Sequence, residues 1–136
     1  MGAWGANTFD NDAACDWGYE LEAASDLSPV REALARVVAV GADYLDPDVA
    51  CEALAACEVI ARLKGNWGVR DAYTETVDRW VSEHPTEPSS DLVDQALAAI
   101  DRVLSSPSEL LELWDEDGEN EEWHDAVANL RSRVAT

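Results

Sequence analysis

The side chains with the most chemical potential in this chain of 136 residues are carboxylates, and they gather at its two ends. Asp10, Asp12, Asp16 and Glu20 all precede the first basic residue, Arg31, and the stretch Glu109 to Asp125 holds nine carboxylates with no Lys or Arg. On a helix the pairs Asp12/Asp16 and Asp16/Glu20 stand one turn apart on one face, where like charges repel. Such a ridge is neutralised by a basic protein, by a cation or by solvent alone. The candidate partner-binding set is therefore Asp10, Asp12, Asp16 and Glu20 with Glu112, Asp115, Glu116, Asp117 and Glu119.

Other chemistry is sparse. The two histidines, His84 and His124, form no helical pair of metal ligands, and no Cys-x-x-Cys, Gly-x-Ser-x-Gly elbow, phosphate-binding Gly-Lys loop or dinucleotide fingerprint occurs. Placing Gly118 sixth in a helix-loop-helix calcium loop puts Leu113 first and His124 twelfth, where carboxylates are required, so that loop is excluded. A looser cation site of Asp115, Asp117 and Glu119 stays open beside the reading as a solvated turn. No residue is assigned a catalytic or metal-ligating role, and no cofactor is expected.

The formal charge of −20, with 9 basic against 29 acidic residues, disfavours binding to a phosphate backbone and leaves basic proteins and cations as charged partners. An apolar content of 47% with six Trp residues supports a folded core despite that repulsion. Three cysteines without pair spacing argue for core-filling thiols in a reducing compartment. Every apolar run is broken by charge well short of the roughly 18 residues a membrane span needs, and no signal segment opens the chain. A soluble cytoplasmic protein, monomeric or a small homo-oligomer, is expected. The opening Met-Gly-Ala-Trp-Gly-Ala lacks the Ser or Thr of a myristoylation site.

The elements that must position these groups read as helices throughout. Asp10 or Asn11 caps a first helix to Ala24 with Ala14, Trp17 and Leu21 inward, weakened by Gly18. Ser28-Pro29 and Asp46-Pro47 pair a capping residue with Pro at the first helical position, starting helices that stop at Gly41 and Gly65. Tyr73, Val77, Trp80 and Val81 mark a shorter fourth helix ending before Pro85, and Ser89 or Ser90 caps a fifth that buries Leu92, Ala96, Ile100 and Val103. Ser106-Pro107-Ser108-Glu109 spells a reciprocal cap for a sixth, through Trp114; a last helix turns Trp123, Val127, Leu130 and Val134 inward. Trp4 is expected to tuck against the body and the two aromatic ends to meet. The fold class is all-α, one domain over 1–136 with six or seven short helices in an irregular or orthogonal array.

The opening Gly2-Ala3-Trp4-Gly5, the run Phe9-Asp10-Asn11-Asp12, Asp16-Trp17, and the later Ser108-Glu109-Leu110 with Leu113-Trp114 resemble a bacterial family of small helical proteins, domain of unknown function 4259. Asn7 stands where that family often has Gly, and both residues tolerate a left-handed backbone. The resemblance implies a bacterial source and a single helical domain, and it carries over no catalytic residue. Three functions remain: a non-enzymatic interaction protein whose acidic face binds a basic partner, in the manner of an antitoxin, immunity protein or nucleic-acid mimic; a metal-dependent hydrolase built on clustered carboxylates; or a structural domain or homo-oligomer without an acidic-face ligand.

Overall fold

A computed structural model of the chain describes residues 5–116 and 121–136, and within them runs a succession of seven helices: α1 (Asp12–Glu22), α2 (Ser28–Val40), α3 (Pro47–Leu63), α4 (Glu75–Glu83), α5 (Ser90–Val103), α6 (Glu109–Glu116) and α7 (Glu121–Ala135). No strand occurs among the described residues; Leu45 and Ser108 form a single isolated parallel bridge. Trp4 lies outside the described residues.

The array is organised around α3, which touches every other helix. Its Ala-rich surface lets neighbours approach from all sides, so burial extends around the whole circumference, well beyond the single stripe of an ordinary amphipathic helix. Two charged residues, Glu58 and Arg62, are carried into the interior with it. The Asp46 cap forms as expected: its Oδ1 accepts from the Asp48 and Val49 amides at 2.8 and 3.4 Å, with Pro47 next. Beyond Leu63 and Lys64, the chain reverses at Gly65, whose φ of 86° belongs to the left-handed region.

The inward stripes of α5 and α7 are buried as their spacing implies, and Trp17, Trp80 and Trp123 join the core while Trp114 is half-buried against it. Gly18 is buried where α1 faces α4, and a Cβ there would stand 3.4 Å from Val77 Cγ2, an ordinary contact distance.

Three local expectations are corrected. Ser28 is the first residue of α2 and not its cap; its amide is taken by Asp26 Oδ1 at 3.0 Å, an Asx turn that starts the helix from further back. Tyr73 falls outside α4 and is exposed, because Asp71 and Thr74 close their own turn, with the Tyr73 and Thr74 amides on Asp71 Oδ1. The reciprocal cap at Ser106 does not form. A cap would place the Glu109 amide on the Ser106 hydroxyl, but that amide donates to Leu45 O at 3.1 Å, and Pro107 O accepts the Leu45 amide at 3.1 Å. A long-range backbone bridge thus takes the donor that the motif needs; α6 begins at Glu109, the Ser106–Pro107 peptide is cis, and Pro107 is outside the helix.

Candidate functional site

The two acidic ends come together around the N-terminal loop. Asn11, not Asp10, caps α1, with its Oδ1 accepting from the Ala14 amide at 2.8 Å. Asp10 is released from that duty and folds the loop back instead: its Oδ2 accepts the Asn7 amide at 3.1 Å, and its amide donates to Asn7 O at 3.0 Å. The Asp10 carboxylate lies so near Gly5 that a Cβ there would overlap it. The loop held in this way separates two cavities. One, of about 360 Å³, is lined by Asp10 together with Asp71, Glu122 and Asp125 above a floor that includes Glu58 and Arg133. The other, of about 220 Å³, has Asp12 and Asp48 at its polar edge and Leu110, Trp114 and Trp123 at its apolar one. Gly5 and Ala6 share this second cavity with the two tryptophans, whose rings stack at 5.9 Å and 7°. The N-terminal loop and the C-terminal aromatic segment thus border one cavity.

Beneath the larger cavity lies an ionic network that no local sequence pattern announces. Arg62, fully buried, donates through Nε to Asp78 Oδ1 at 2.7 Å, through Nη1 to Glu58 Oε1 at 2.9 Å and through Nη2 to Val69 O at 2.6 Å. Arg133 on α7 reaches the same Glu58 at 2.6 and 3.3 Å, while Thr74 Oγ1 donates to Asp78 Oδ2 at 2.7 Å. Gly68 leaves room for the Arg133 guanidinium, which a Cβ there would displace, since it would sit 2.6 Å from Arg133 Cζ. Each buried charge thus meets an opposite charge with hydrogen-bonding geometry, the condition under which burial is tolerated.

The same economy governs nearly every base. Arg36 and Arg70 pair with Glu52 and Asp78, Arg79 with Glu22 and Glu75, and Arg131 with Asp101. Lys64 donates to Val134 O, and Arg102 fastens Gly41, Asp43, Ser105 and Pro107 through their carbonyls. With Arg62 and Arg133, eight of the nine basic residues are tied into the framework, and Arg31 is the exception.

The candidate carboxylates divide accordingly. Asp12, Asp16 and Glu20 are exposed on α1 and, with Glu116, Glu121, Glu122 and Asp125, have no ion-pair partner among the described residues. Glu20 lies toward Glu52 of α3, whose carboxyl is pushed up by burial and, against the pull of Arg36, by Glu20, Asp48 and Asp46. Two others are engaged. Glu112 accepts from the Tyr44 hydroxyl, and this bond, followed by desolvation and the Glu112 and Glu109 charges, pushes the Tyr44 phenol up to about 12. Asp115 lies 3.1 Å from His124 Nε2. Asp117 and Glu119 lie outside the described residues, so the looser cation site that included them does too. Among the described residues no group of three His, Cys, Asp or Glu side chains could hold a metal ion.

Asp71, Glu122 and Asp125 belong to the acidic rim but not to the set that the sequence singles out. Asp71 is distant in sequence, whereas Glu122 and Asp125 fall within the acidic stretch Glu109 to Asp125. Glu58 and Arg62 read as an ordinary surface pair one turn apart; the available signal was their place in an Ala-rich helix with few other charges. The three thiols are free. Burial pushes the Cys51 thiol up to about 12 and the Cys57 thiol higher still, so these two are inert fillers.

Fold and site together define a small all-α protein with an internally compensated framework and an outwardly acidic rim. Residues 2–126 match the family described as Domain of unknown function (DUF4259), and the chain belongs to that family. No curated protein and no solved structure matches it. Among the described residues no helix is long and apolar enough to cross a membrane.

Proposed function

We infer that this protein is a non-enzymatic interaction module whose acidic rim binds a basic protein in a cytoplasmic setting. The observation that carries the reading is the division of charge. Eight of the nine bases are engaged in structural contacts, while the rim carboxylates Asp10, Asp12, Asp16, Glu122 and Asp125 have no ion-pair partner among the described residues. A uniform field of that sign steers a positively charged partner toward the rim and repels phosphate backbones. Two cavities beside the N-terminal loop supply relief into which partner side chains can enter. The hydrolase alternative receives no comparable support, because among the described residues no group of three His, Cys, Asp or Glu side chains could hold a metal ion.

The test is affinity capture with the intact chain as bait at low salt, beside a variant carrying Asp12→Lys, Asp16→Lys and Glu122→Lys. A basic protein should be retained by the wild type, lost by the variant and released as salt approaches about 1 M, where the screening length falls to about 3 Å. Retention that survives both salt and charge reversal would sink the reading.

A further inference from the structure

Where the chain passes from α1 to α2, another cavity, of about 470 Å³, opens against the end of α4. Asp26, Leu27 and Arg31 line it from one side and Trp80, His84 and Pro85 from the other, and it shares no lining residue with the two cavities beside the N-terminal loop. Its aromatic wall is held from several directions. The Trp80 ring is 3% exposed, its Nε1 donates to Ala24 O at 2.9 Å, and the His84 imidazole stacks on it at 4.4 Å and 13°. His84 is anchored in turn, since its Nδ1 donates to Trp80 O at 2.9 Å.

The charges of this cavity differ in kind from those of the rim. Arg31 is the one base that no ion pair or side-chain hydrogen bond ties into the framework among the described residues, and it lines this cavity with Asp26. The two do not form an ion pair, yet they sense each other: the Asp26 carboxyl is held below its ordinary value first by the Ser28 hydroxyl and amide and then by the Arg31 charge. Asp26 spends part of its capacity on the Ser28 amide at 3.0 Å, and a carboxylate has room for about four donors. A cation and an anion left unpaired in one cavity select their complement. A simple anion is opposed by the formal charge of −20, and a simple cation by Arg31; a small ligand that carries both charges and is neutral overall meets neither cost. A free α-amino acid has that form at neutral pH, and the volume lies within the roughly 300–1,000 Å³ of small-molecule sites.

We propose that this cavity binds a free α-amino acid with an apolar side chain, its ammonium on Asp26, its carboxylate on Arg31 and its side chain against Leu27, Trp80 and Pro85. The site stands apart from the acidic rim and does not depend on the reading given to it.

The experiment is a chemical-shift titration of the nitrogen-labelled intact chain at about 0.15 M salt, where the screening length is about 8 Å. The probes are L-leucine, L-phenylalanine, glycine, N-acetylleucine and leucine methyl ester. The variants are Arg31→Gln, at an exposed side chain, and Asp26→Asn, which keeps an oxygen for the Ser28 amide. Leucine and phenylalanine should shift amides within residues 25–31 and 80–86, and glycine should bind more weakly. Each substitution should weaken leucine binding about three- to tenfold. Asp26→Asn should leave the affinity for N-acetylleucine unchanged, and Arg31→Gln that for the methyl ester, because the derivative has already lost the matching charge. No localised shifts, glycine bound as tightly as leucine, leucine binding unmoved by either substitution, or a substitution that weakens its matched derivative as much as leucine itself overturns the site.

Discussion

Arg62 shows most clearly how a single side chain holds this molecule together. Its guanidinium satisfies two carboxylates and a carbonyl on different segments, α3, α4 and the loop at Val69, with its side chain fully out of solvent. Removing it takes the closest charge partner from Asp78, leaving it Arg70 at 3.5 Å and the Thr74 hydroxyl, and leaves Glu58 to Arg133 alone. Arg62→Met is therefore expected to cost about 3–5 kcal/mol, the range for breaking a buried ion pair from one side. Arg79 offers the contrast. Its partner Glu22 is 3.2 Å away, but both side chains are about half exposed, so Arg79→Met should cost about 0–1 kcal/mol. Urea unfolding of the two variants measures both, and similar losses would show that the buried network lacks the weight assigned to it. Little of this was legible from the residues themselves: a Glu and an Arg one turn apart look the same whether the helix floats or is enclosed.

At the scale of elements, signals contained within a few residues are legible, and those that compete with distant partners are not. Asp46-Pro47 and Ser89 cap their helices because donor and acceptor are near neighbours in the chain, with Ser89 Oγ accepting the Leu92 amide at 3.2 Å. The Ser106 motif has equally good residues and fails, because Leu45 supplies a backbone partner for Glu109 that no local rule contains. The stripes of α5 and α7 were legible because each buries one side; the enclosure of α3 was not, since it depends on six other helices. Within the site, the α1 carboxylates were visible as a run, whereas Asp71 joins them only through the fold. Two substitutions separate working cap from unused motif: Asp46→Ala should lower stability by about 1 kcal/mol, and Ser106→Ala, at an exposed position, should stay within about 0.5 kcal/mol. Thermal melts in which the serine variant lost more than the aspartate variant would reverse that assignment.

For the whole molecule, the formal charge of −20 is a standing repulsion that the core must overcome. Salt should relieve it. Because the framework's ion pairs are few and the innermost are shielded from solvent, screening weakens repulsion among the rim carboxylates more than it weakens attraction within the network. The melting temperature at neutral pH is expected to rise with moderate salt, each ~1 kcal/mol of relieved repulsion amounting to about 3–6 °C for a chain of this size. A melting temperature that falls with added sodium chloride would show that attraction between the paired charges outweighs repulsion among the unpaired ones.

The absorption of the bases into the framework also makes the molecule divisible in a practical sense. The charges enclosed within the fold are Glu58, Arg62, Asp78 and Arg133, whereas the rim carboxylates of α1 and α7 point outward. The two populations overlap at few positions, so the outer one can be rewritten with little effect on the inner. On the proposed function, a chain with its α1 and α7 rim neutralised should keep its architecture while losing the basic partner. On that reading, durability and recognition rest on largely separate residues, with Asp10 and Asp71 serving both.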